Sequence, residues 1–585
     1  MKNDLHTLRH SLSHIMAAAV KDIWPDVKLA IGPSIDNGFY YDFDFGESPF
    51  SEADLSKIEE KMKELIKKDL KFEKREIDII EAIRKEKEAR QDYKVELLED
   101  LKKEGELKAS YYTSGDFEDL CRGPHISSTK DININAFKIN KVAGAYWRGD
   151  EKNKMLTRIY ALAFDSKEDL DNHLEMIHQA ELRDHRKLSK ELDLFSISDK
   201  VGQGLILWHP KLSKVREILE TWWRKVHRQN GYHYIYTPHI GKDLLWKESG
   251  HLDFFTDSMF PPFSDKETDE KYYIKPMSCP FHVEIYKTKI RSYRDLPLKW
   301  NELGTCYRYE KSGELHGLAR PRGFTQDDAH IICTKDQFKE EYRKAVELTI
   351  DVFSRFGFDK FKYYLAVRDP NNKKMYVGDS DVWDIAESTI KEILQEKDID
   401  YKLEEGGAKF YGPALDIKIF DAIGREWQCP TIQLDMNLPS KFGMKYIGPD
   451  GNEHTPIMLH RTIFGSLERF CTILIEHYAG AFPVWLAPVQ IKVISLADTH
   501  TDFARKMASR LLNEDLRVEV DDGNETVGNK VRKASQEKIP YILVIGNREM
   551  ESGNLSVRER GKEDTRQMTE GELVGEIKEK MERNQ

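Results

Sequence analysis

The sequence predicts an α+β chain of several domains, and three observations carry that reading. At 585 residues it is too long for one hydrophobic core, so three or four domains are expected. Its central stretch holds short runs rich in aromatic and β-branched residues, YHYIYT, KYYIKP, KFYGPALDIKIF and TIQLDM, separated by turn signals. That pattern favours a largely antiparallel sheet flanked by helices. From Val489 the pattern changes: QIKVISLA, RVEVDD, YILVIG and LSVRER read as strands, with helical stretches between the first three. A β-α-β-α-β unit plus one further strand suits a small α/β domain with a mostly parallel sheet.

The elements follow in order. Residues 1–164 make the first predicted domain, which opens on a helical run carrying His10 and His14; their spacing of four puts both imidazoles on one helix face. Much later, Asp119-Leu120-Cys121-Arg122-Gly123-Pro124-His125 supplies a Cys and a His four apart. Spacing leaves three readings open: a zinc site from His10, His14, Cys121 and His125, a metal-free hydrolytic pocket, or unrelated histidines. Residues 165–191 read as one connecting helix, with Ser166 as N-cap and Leu170, Leu174 and Ile177 as an apolar stripe among charges. A domain boundary is expected inside it.

Residues 192–488 form the central domain, and its most informative stretch is Asn301 to Cys333. Arg308 and Arg320 flank the loop KSGELHG, and the return segment carries Asp327, Asp328 and His330. This predicts two strands joined by a long loop, with cations at the strand ends. Guanidinium groups grip carboxylate and phosphate oxygens bidentately and never deprotonate; the alternative is an ordinary solvated hairpin. Neither G-x-x-x-x-G-K-[ST] nor G-x-G-x-x-G opens a helix here, so a P-loop or Rossmann nucleotide site has no support. Trp485 to Pro488 marks the last boundary, before the domain at 489–585.

A net charge of −11 argues against a protein that coats nucleic acid indiscriminately, although a local basic face can still meet an RNA partner. No apolar run approaches the ~20 residues that span a bilayer, and MKNDLHTLRH lacks the apolar core of a signal peptide. The expectation is a cytoplasmic protein without a membrane or DNA partner. Six scattered cysteines do not read as a disulfide framework; most are expected to be small buried hydrophobes.

Taken together, these segments resemble the class II aminoacyl-tRNA synthetases. Asn301 to Cys333 resembles motif 2, and its ending RGFTQDDAHIIC is similar to the threonyl-tRNA synthetase family in particular. Gly465 to Phe470 (GSLERF) resembles motif 3, and GYHYIYTP at Gly231 to Pro238, after the helix-like run Lys211 to Arg228, resembles motif 1. The resemblance covers nearly the whole chain. It implies an α+β editing domain, a class II catalytic domain and an anticodon-binding domain, in that order.

The implied activity is threonine–tRNA ligation: threonine and ATP give threonyl-adenylate, which charges tRNA(Thr). The resemblance places ATP, with Mg2+ between its phosphates, on Arg308, Glu310, Arg320, Gln428 and Arg469, the three arginines being catalytic. Gln326, Asp328, Tyr411 and Gln433 would line the threonine pocket, and Cys279, His330 and His460 would hold one Zn2+ per subunit. His10, His14, Lys94, Asp119, Cys121 and His125 would line a pocket that hydrolyses seryl-tRNA(Thr), generally without a metal. Glu549 and Arg558 match anticodon contacts, and Arg560 and Lys530 are candidates for backbone phosphates. Motif 1 implies a homodimer.

Selectivity explains two such sites. Serine lacks one methyl of threonine, and a pocket rejects a methylene-sized difference only ~10–200-fold, whereas a site that demands a hydroxyl ligand can reject valine by ~10⁴–10⁵. The chain departs from the family pattern twice. Ala414 stands where a lysine is common, so any contact by that side chain is missing while activity is expected to survive; and the resemblance implies a small extra domain ahead of the editing domain, whereas this sequence begins almost at the His10–His14 pair, a difference expected to touch neither active site.

Overall fold

The computed structural model describes residues 4–372, 375–376, 380–409 and 411–584. The chain divides into two compact units, Met1–His178 and Gln179–Gln585.

The first unit is built on helix α1 (Leu5–Ile23), whose Asp4 N-cap accepts a hydrogen bond from the His6 N–H. Leu8, Leu12, Ile15, Met16 and Ala19 bury α1 against strand β1 (Gly38–Asp44) and helix Leu55–Lys67. Strand β2 (Phe72–Asp78), helix α2 (Asp92–Lys103), β3 (Lys108–Ser114) and β4 (Phe117–Leu120) follow; β2, β3 and β4 form an antiparallel sheet in that order. Strands β5 (Phe137–Tyr146) and β6 (Met155–Ala163) complete a second sheet, in which β6 lies between β1 and β5.

The connecting segment is two helices rather than one. Helix α3 (Lys167–Arg183) is capped as expected, the Asp169 N–H donating to Ser166 Oγ at 3.1 Å. It stops at Asp184, whose carboxylate accepts from the Arg186 N–H at 2.8 Å and starts α4 (His185–Leu192). The competing cap splits the helix. Of the expected stripe only Leu170 is fully buried, and the division between the two units falls within α3.

The second unit begins with α5 (Pro210–Gln229), which leads into the short strand β7 (His233–Tyr234), and helix α6 (Cys279–Lys287) precedes the sheet proper. Strands β8 (Leu298–Tyr307) and β9 (Gly323–Cys333) are the predicted hairpin, antiparallel from Leu298↔Ile332 to Tyr307↔Gly323. With β10 (Phe361–Val367), β11 (Tyr401–Glu405), β12 (Ala414–Phe420), β13 (Glu426–Asp435) and β14 (Ile457–Ser466) they form one sheet in the order β7-β8-β9-β14-β13-β12-β10-β11. All pairings are antiparallel except the two at the edges. KYYIKP joins a separate three-stranded sheet. Helices Phe338–Ser354, Ser380–Glu396 and α7 (Leu467–His477) pack their apolar stripes on one large core with these strands. Ser466 ends β14 and caps α7, accepting from the Arg469 N–H at 3.1 Å.

The C-terminal domain has more antiparallel pairing than predicted. Strands β15 (Ile491–Ser495), β16 (Val518–Asp521) and β17 (Tyr541–Ile545) are parallel and joined by helices, whereas β18 (Asn554–Glu559) pairs antiparallel with β17, and β19 (Thr565–Thr569) antiparallel with β18. The sheet, ordered β16-β15-β17-β18-β19, is therefore mixed. TRQMT is a polar edge strand without an apolar alternation to announce it, and its partner surface is supplied by β18.

Candidate active site and a second pocket

Three side chains far apart in sequence meet on the central sheet. His330 on β9 and His460 on β14 are direct partners in the strand register, and Cys279 opens α6. Their ligand atoms all lie within 4.8 Å of one another. The network around them fixes the ring protons. His460 Nε2 donates to Asp435 Oδ2 at 2.9 Å; His330 Nδ1 lies 2.7 Å from His282 Nδ1, and His282 Nε2 in turn faces Glu302 Oε2 at 3.3 Å. If His282 gives its proton to the carboxylate side, His330 must donate from Nδ1. His330 Nε2 and His460 Nδ1 then face each other at 2.9 Å as two lone pairs with no proton between them. Two imidazole lone pairs beside a thiol are a donor set for a cation of zinc's kind. Burial acts on the two donors in opposite senses: it holds His330 far below the usual histidine range, and so neutral with a lone pair to give, while it pushes the Cys279 thiol up, away from the thiolate that a cation would bind.

Around this niche lies a cavity of about 70 Å³ lined by His251, Met277, Cys279, Tyr411, Leu438 and His460. Tyr411 donates to Gln433 Oε1 at 2.7 Å, so those two are already paired. Asp328 is buried with its carboxylate 3.9 Å from His330 Nε2. A bulge between Gln326 and Asp328 interrupts the β9–β14 register there. Asp327, its neighbour, accepts from the Ile463 N–H at 2.8 Å instead. Ala414 is buried on β12 opposite Gln433.

The neighbouring cleft, about 410 Å³, is lined by Arg308, Glu310, Arg320, Gln326, Gln428 and Arg469. Arg308 sits at the end of β8 with its guanidinium 5.1 Å from the Phe324 ring and its Nε donating to the Pro276 carbonyl. Arg320 and Glu310 are bonded to each other, Nε to Oε2 at 2.9 Å, and Glu314 takes the other side of the guanidinium. Two groups here have unspent capacity: Arg469 Nε and Gln326 Oε1 are buried without a hydrogen-bond partner among the described residues. A ligand in this cleft would satisfy a donor and an acceptor that protein atoms leave bare.

In the first unit, His10 and His14 on α1 meet Cys121 and His125 from the segment after β4, all within 4.8 Å. Cys121 Sγ lies 3.3 Å from both His10 Nε2 and His125 Nε2. His10 Nδ1 lies 3.2 Å from the Pro124 carbonyl and His125 Nδ1 3.1 Å from Ser11 Oγ. Gly123 has a positive φ of 73°, and a Cβ there would sit 2.4 Å from Tyr112 Oη. One wall is a buried ion pair, Lys94 Nζ to Asp119 Oδ1 at 2.5 Å, which Tyr41 joins by donating to Asp119 Oδ2 at 2.6 Å. Burial lowers His14 to about 4 and His125 to about 2 and raises Cys121 to about 11. At neutral pH the pocket therefore presents neutral imidazoles and a neutral thiol beside one fixed ion pair.

In the C-terminal domain the predicted residues separate. Arg558 is exposed on β18. Glu549 is buried as a cap, accepting from the Gly546 N–H at 3.0 Å and from Ser556 Oγ at 2.6 Å. Lys530 and Arg560 are not placed to hold phosphates. Lys530 is buried with Nζ on the Ser495 and Asp521 carbonyls, and Arg560 donates to the Phe482 and Lys538 carbonyls. Sequence could not separate these cations from solvated ones, because a helix-facing lysine and an exposed one read alike.

The supporting residues His282, Glu302, Asp435 and Tyr41 escaped the sequence reading. One signal was available for His282: it stands three residues after Cys279, on the same face of α6.

Known proteins match the chain domain by domain and over nearly its whole length. Residues 110–160 match the second additional domain of threonyl and alanyl tRNA synthetases, residues 262–478 the class II tRNA synthetase core domain (G, H, P, S and T), and residues 484–580 an anticodon binding domain. The threonine–tRNA ligase of Sulfurihydrogenibium sp. (strain YO3AOP1) is 49% identical over 580 residues, covering 99% of this chain and 89% of that protein. That of Magnetococcus marinus is 48% identical over 557 residues, 95% of this chain and 84% of that protein. Among solved structures, the RNA binding domain of threonyl-tRNA synthetase from Cryptosporidium parvum matches with a TM-score of 0.64 at 33% identity, over 68% of this chain and 98% of that one. With a catalytic core, an anticodon-binding domain and a second additional domain in one chain, and near-full-length likeness to these ligases, the chain belongs to the threonine–tRNA ligase family of class II aminoacyl-tRNA synthetases.

Proposed function

We propose that this chain activates threonine with ATP, transfers it to tRNA(Thr), and hydrolyses seryl-tRNA(Thr) in the pocket of its first unit. The observation that carries the reading is the niche of Cys279, His330 and His460 adjoining a cleft lined by Arg308, Arg320 and Arg469. Zinc held by Cys279, His330 and His460 would supply a Lewis acid with an open position, which favours an amino acid bearing a hydroxyl over valine. Asp328 accepts the substrate hydroxyl, and Gln326 offers its free Oε1 to the amino group. Tyr411 and Gln433, bonded to each other, form a fixed wall.

The carboxylate of threonine attacks the α-phosphate, and pyrophosphate leaves. Arg308, Arg320 and Arg469 bind phosphate oxygens, with Arg320 exchanging its Glu310 partner for the nucleotide; Gln428 and Glu310 complete the nucleotide contacts. Magnesium accompanying ATP would offset phosphate charge. No protein nucleophile is required: catalysis is positioning and electrostatic complementarity. In the second pocket a neutral imidazole positions water against the ester carbonyl of seryl-tRNA, and Lys94 balances the developing oxyanion. With its thiol raised to about 11, Cys121 shapes the pocket rather than attacking.

The reading includes a homodimer through α5 and β7, anticodon recognition by the C-terminal domain, and work in the cytoplasm; among the described residues no helix is long and apolar enough to cross a membrane. Amino-acid-dependent ATP–pyrophosphate exchange with threonine, serine and valine tests it. Exchange with threonine, less with serine and almost none with valine is expected; no exchange with any of them, in folded zinc-containing protein, would replace this reading by an RNA-binding regulator or a free-standing hydrolase.

A further inference from the structure

One buried histidine outside both pockets holds the loop that carries Arg320. His185, the first residue of α4, is fully buried, and both ring nitrogens are used. Nδ1 lies 2.7 Å from Glu476 Oε1, and the same carboxylate oxygen accepts from the His185 backbone N–H at 3.1 Å. Nε2 accepts from the Leu318 N–H at 3.2 Å. That acceptance requires the ring proton to be on Nδ1, where it is donated to Glu476, so each bond fixes the tautomer the other needs. Arg425 lies 2.7 Å from Glu476 Oε2 and balances the carboxylate.

Leu318 belongs to the turn between the two arginines of the hairpin. His316 and Arg320 close that turn by mutual backbone hydrogen bonds of 3.3 Å, and Gly317 fills its corner with φ of 51°. A Cβ on Gly317 would stand 2.3 Å from His185 Nε2, so turn and imidazole are fitted to each other. Glu476 lies near the end of α7, the helix whose start carries Arg469. The chain of contacts Glu476–His185–Leu318 thus ties the Arg469 helix to the Arg320 loop across the sheet's own connectivity, with α4 as the strut.

We propose that His185 is a positioning residue for ATP: with Glu476 it pins the 316–320 turn and so presets Arg320 in the nucleotide cleft. This rests on Arg320 meeting ATP, as in the reading above. A loop free to leave its binding position lowers apparent affinity by the fraction of time it is misplaced, without touching threonine's own contacts.

The test is ATP–pyrophosphate exchange on full-length protein with variants His185→Ala, His185→Asn and His185→Gln. An asparagine amide reaches about as far as Nδ1 and can serve Glu476, whereas only glutamine reaches about as far as Nε2 and can serve Leu318. His185→Ala is expected to raise KM for ATP about tenfold or more, with KM for threonine unmoved. His185→Asn is expected to behave like alanine, and His185→Gln to recover most of the loss. The double variant with Arg320→Ala should be little worse in KM for ATP than Arg320→Ala alone. Recovery by asparagine as full as by glutamine, equal rises in both KM values, or additive losses in the double variant would overturn the proposal. Wild-type protein without any exchange would instead overturn the reading on which it rests.

Discussion

Replacing Lys94 by methionine would open the second pocket's wall while keeping its volume. Lys94 Nζ is 2.5 Å from Asp119 Oδ1 and 3.1 Å from Tyr41 Oη, and both charged side chains are about 5% exposed, so solvent screens the pair little. Removing one partner of a buried pair typically costs about 3–5 kcal/mol, because the other charge stays behind unpaired. For a unit of this size, Met1–His178, that corresponds to roughly 2–4 °C per kcal/mol, or a fall of about 6–20 °C in its unfolding transition. Asp119 is held below the usual carboxylate range against its burial, chiefly by Lys94. A carboxyl with a depressed folded pKa stabilises above its unfolded pKa and loses that contribution as pH falls, so the gap between wild type and variant should narrow below about pH 4. Lys94 also presses on His14, lowered to about 4 first by burial. Without it His14 protonates at higher pH, and the acid limb of seryl-tRNA deacylation should shift upward. Thermal unfolding, deacylation against pH and threonine-dependent exchange are the assays, the last expected unchanged. A transition within about 1 °C of wild type together with an unmoved pH profile would refute the reasoning.

Cys279→Ala should lose bound zinc, read by elemental analysis, and with it threonine-dependent exchange; full exchange in zinc-free variant contradicts the metal niche. Glu468, on α7, is pushed up to about 7 by burial and accepts from the Thr325 N–H at 2.7 Å. The folded state holds this proton more tightly than the unfolded one, so stability falls as pH rises from about 4.5 to about 7, by on the order of 3 kcal/mol. Glu468→Gln keeps the acceptor and should remove that fall in denaturant titrations at pH 5 and 8; identical pH slopes would count against it. Arg558→Ala should raise KM for tRNA in aminoacylation and leave adenylate formation alone, whereas loss of exchange would show a structural role.

Much of the fold was legible because its signals are local. The strand-to-helix junction at Ser466 and the alternation after Val489 each depend on residues within a few positions of one another, and the two strands of the β8–β9 hairpin each carry their own local pattern either side of a polar loop. The failures had equally local causes. Asp184 caps a new helix where periodicity alone saw one continuous run, and β19 is an edge strand too polar to show a pattern. Lys530 and Arg560 carry charges that sequence cannot tell from solvated ones, yet both spend their donors on backbone carbonyls.

By itself, then, the sequence determined the α+β plan, the arginine-flanked hairpin and, through family resemblance, which cysteine and histidines to watch. Only the tertiary structure decided how they function together. Strand register puts His330 opposite His460, and α6 brings in Cys279, uniting side chains 51 and 130 residues apart that no short spacing could link. Burial then holds His330 neutral and keeps the Cys279 thiol raised, and distant carboxylates choose the histidine tautomers. Those last two properties belong to an environment assembled by long-range packing, in which the field at a side chain comes from residues remote along the chain.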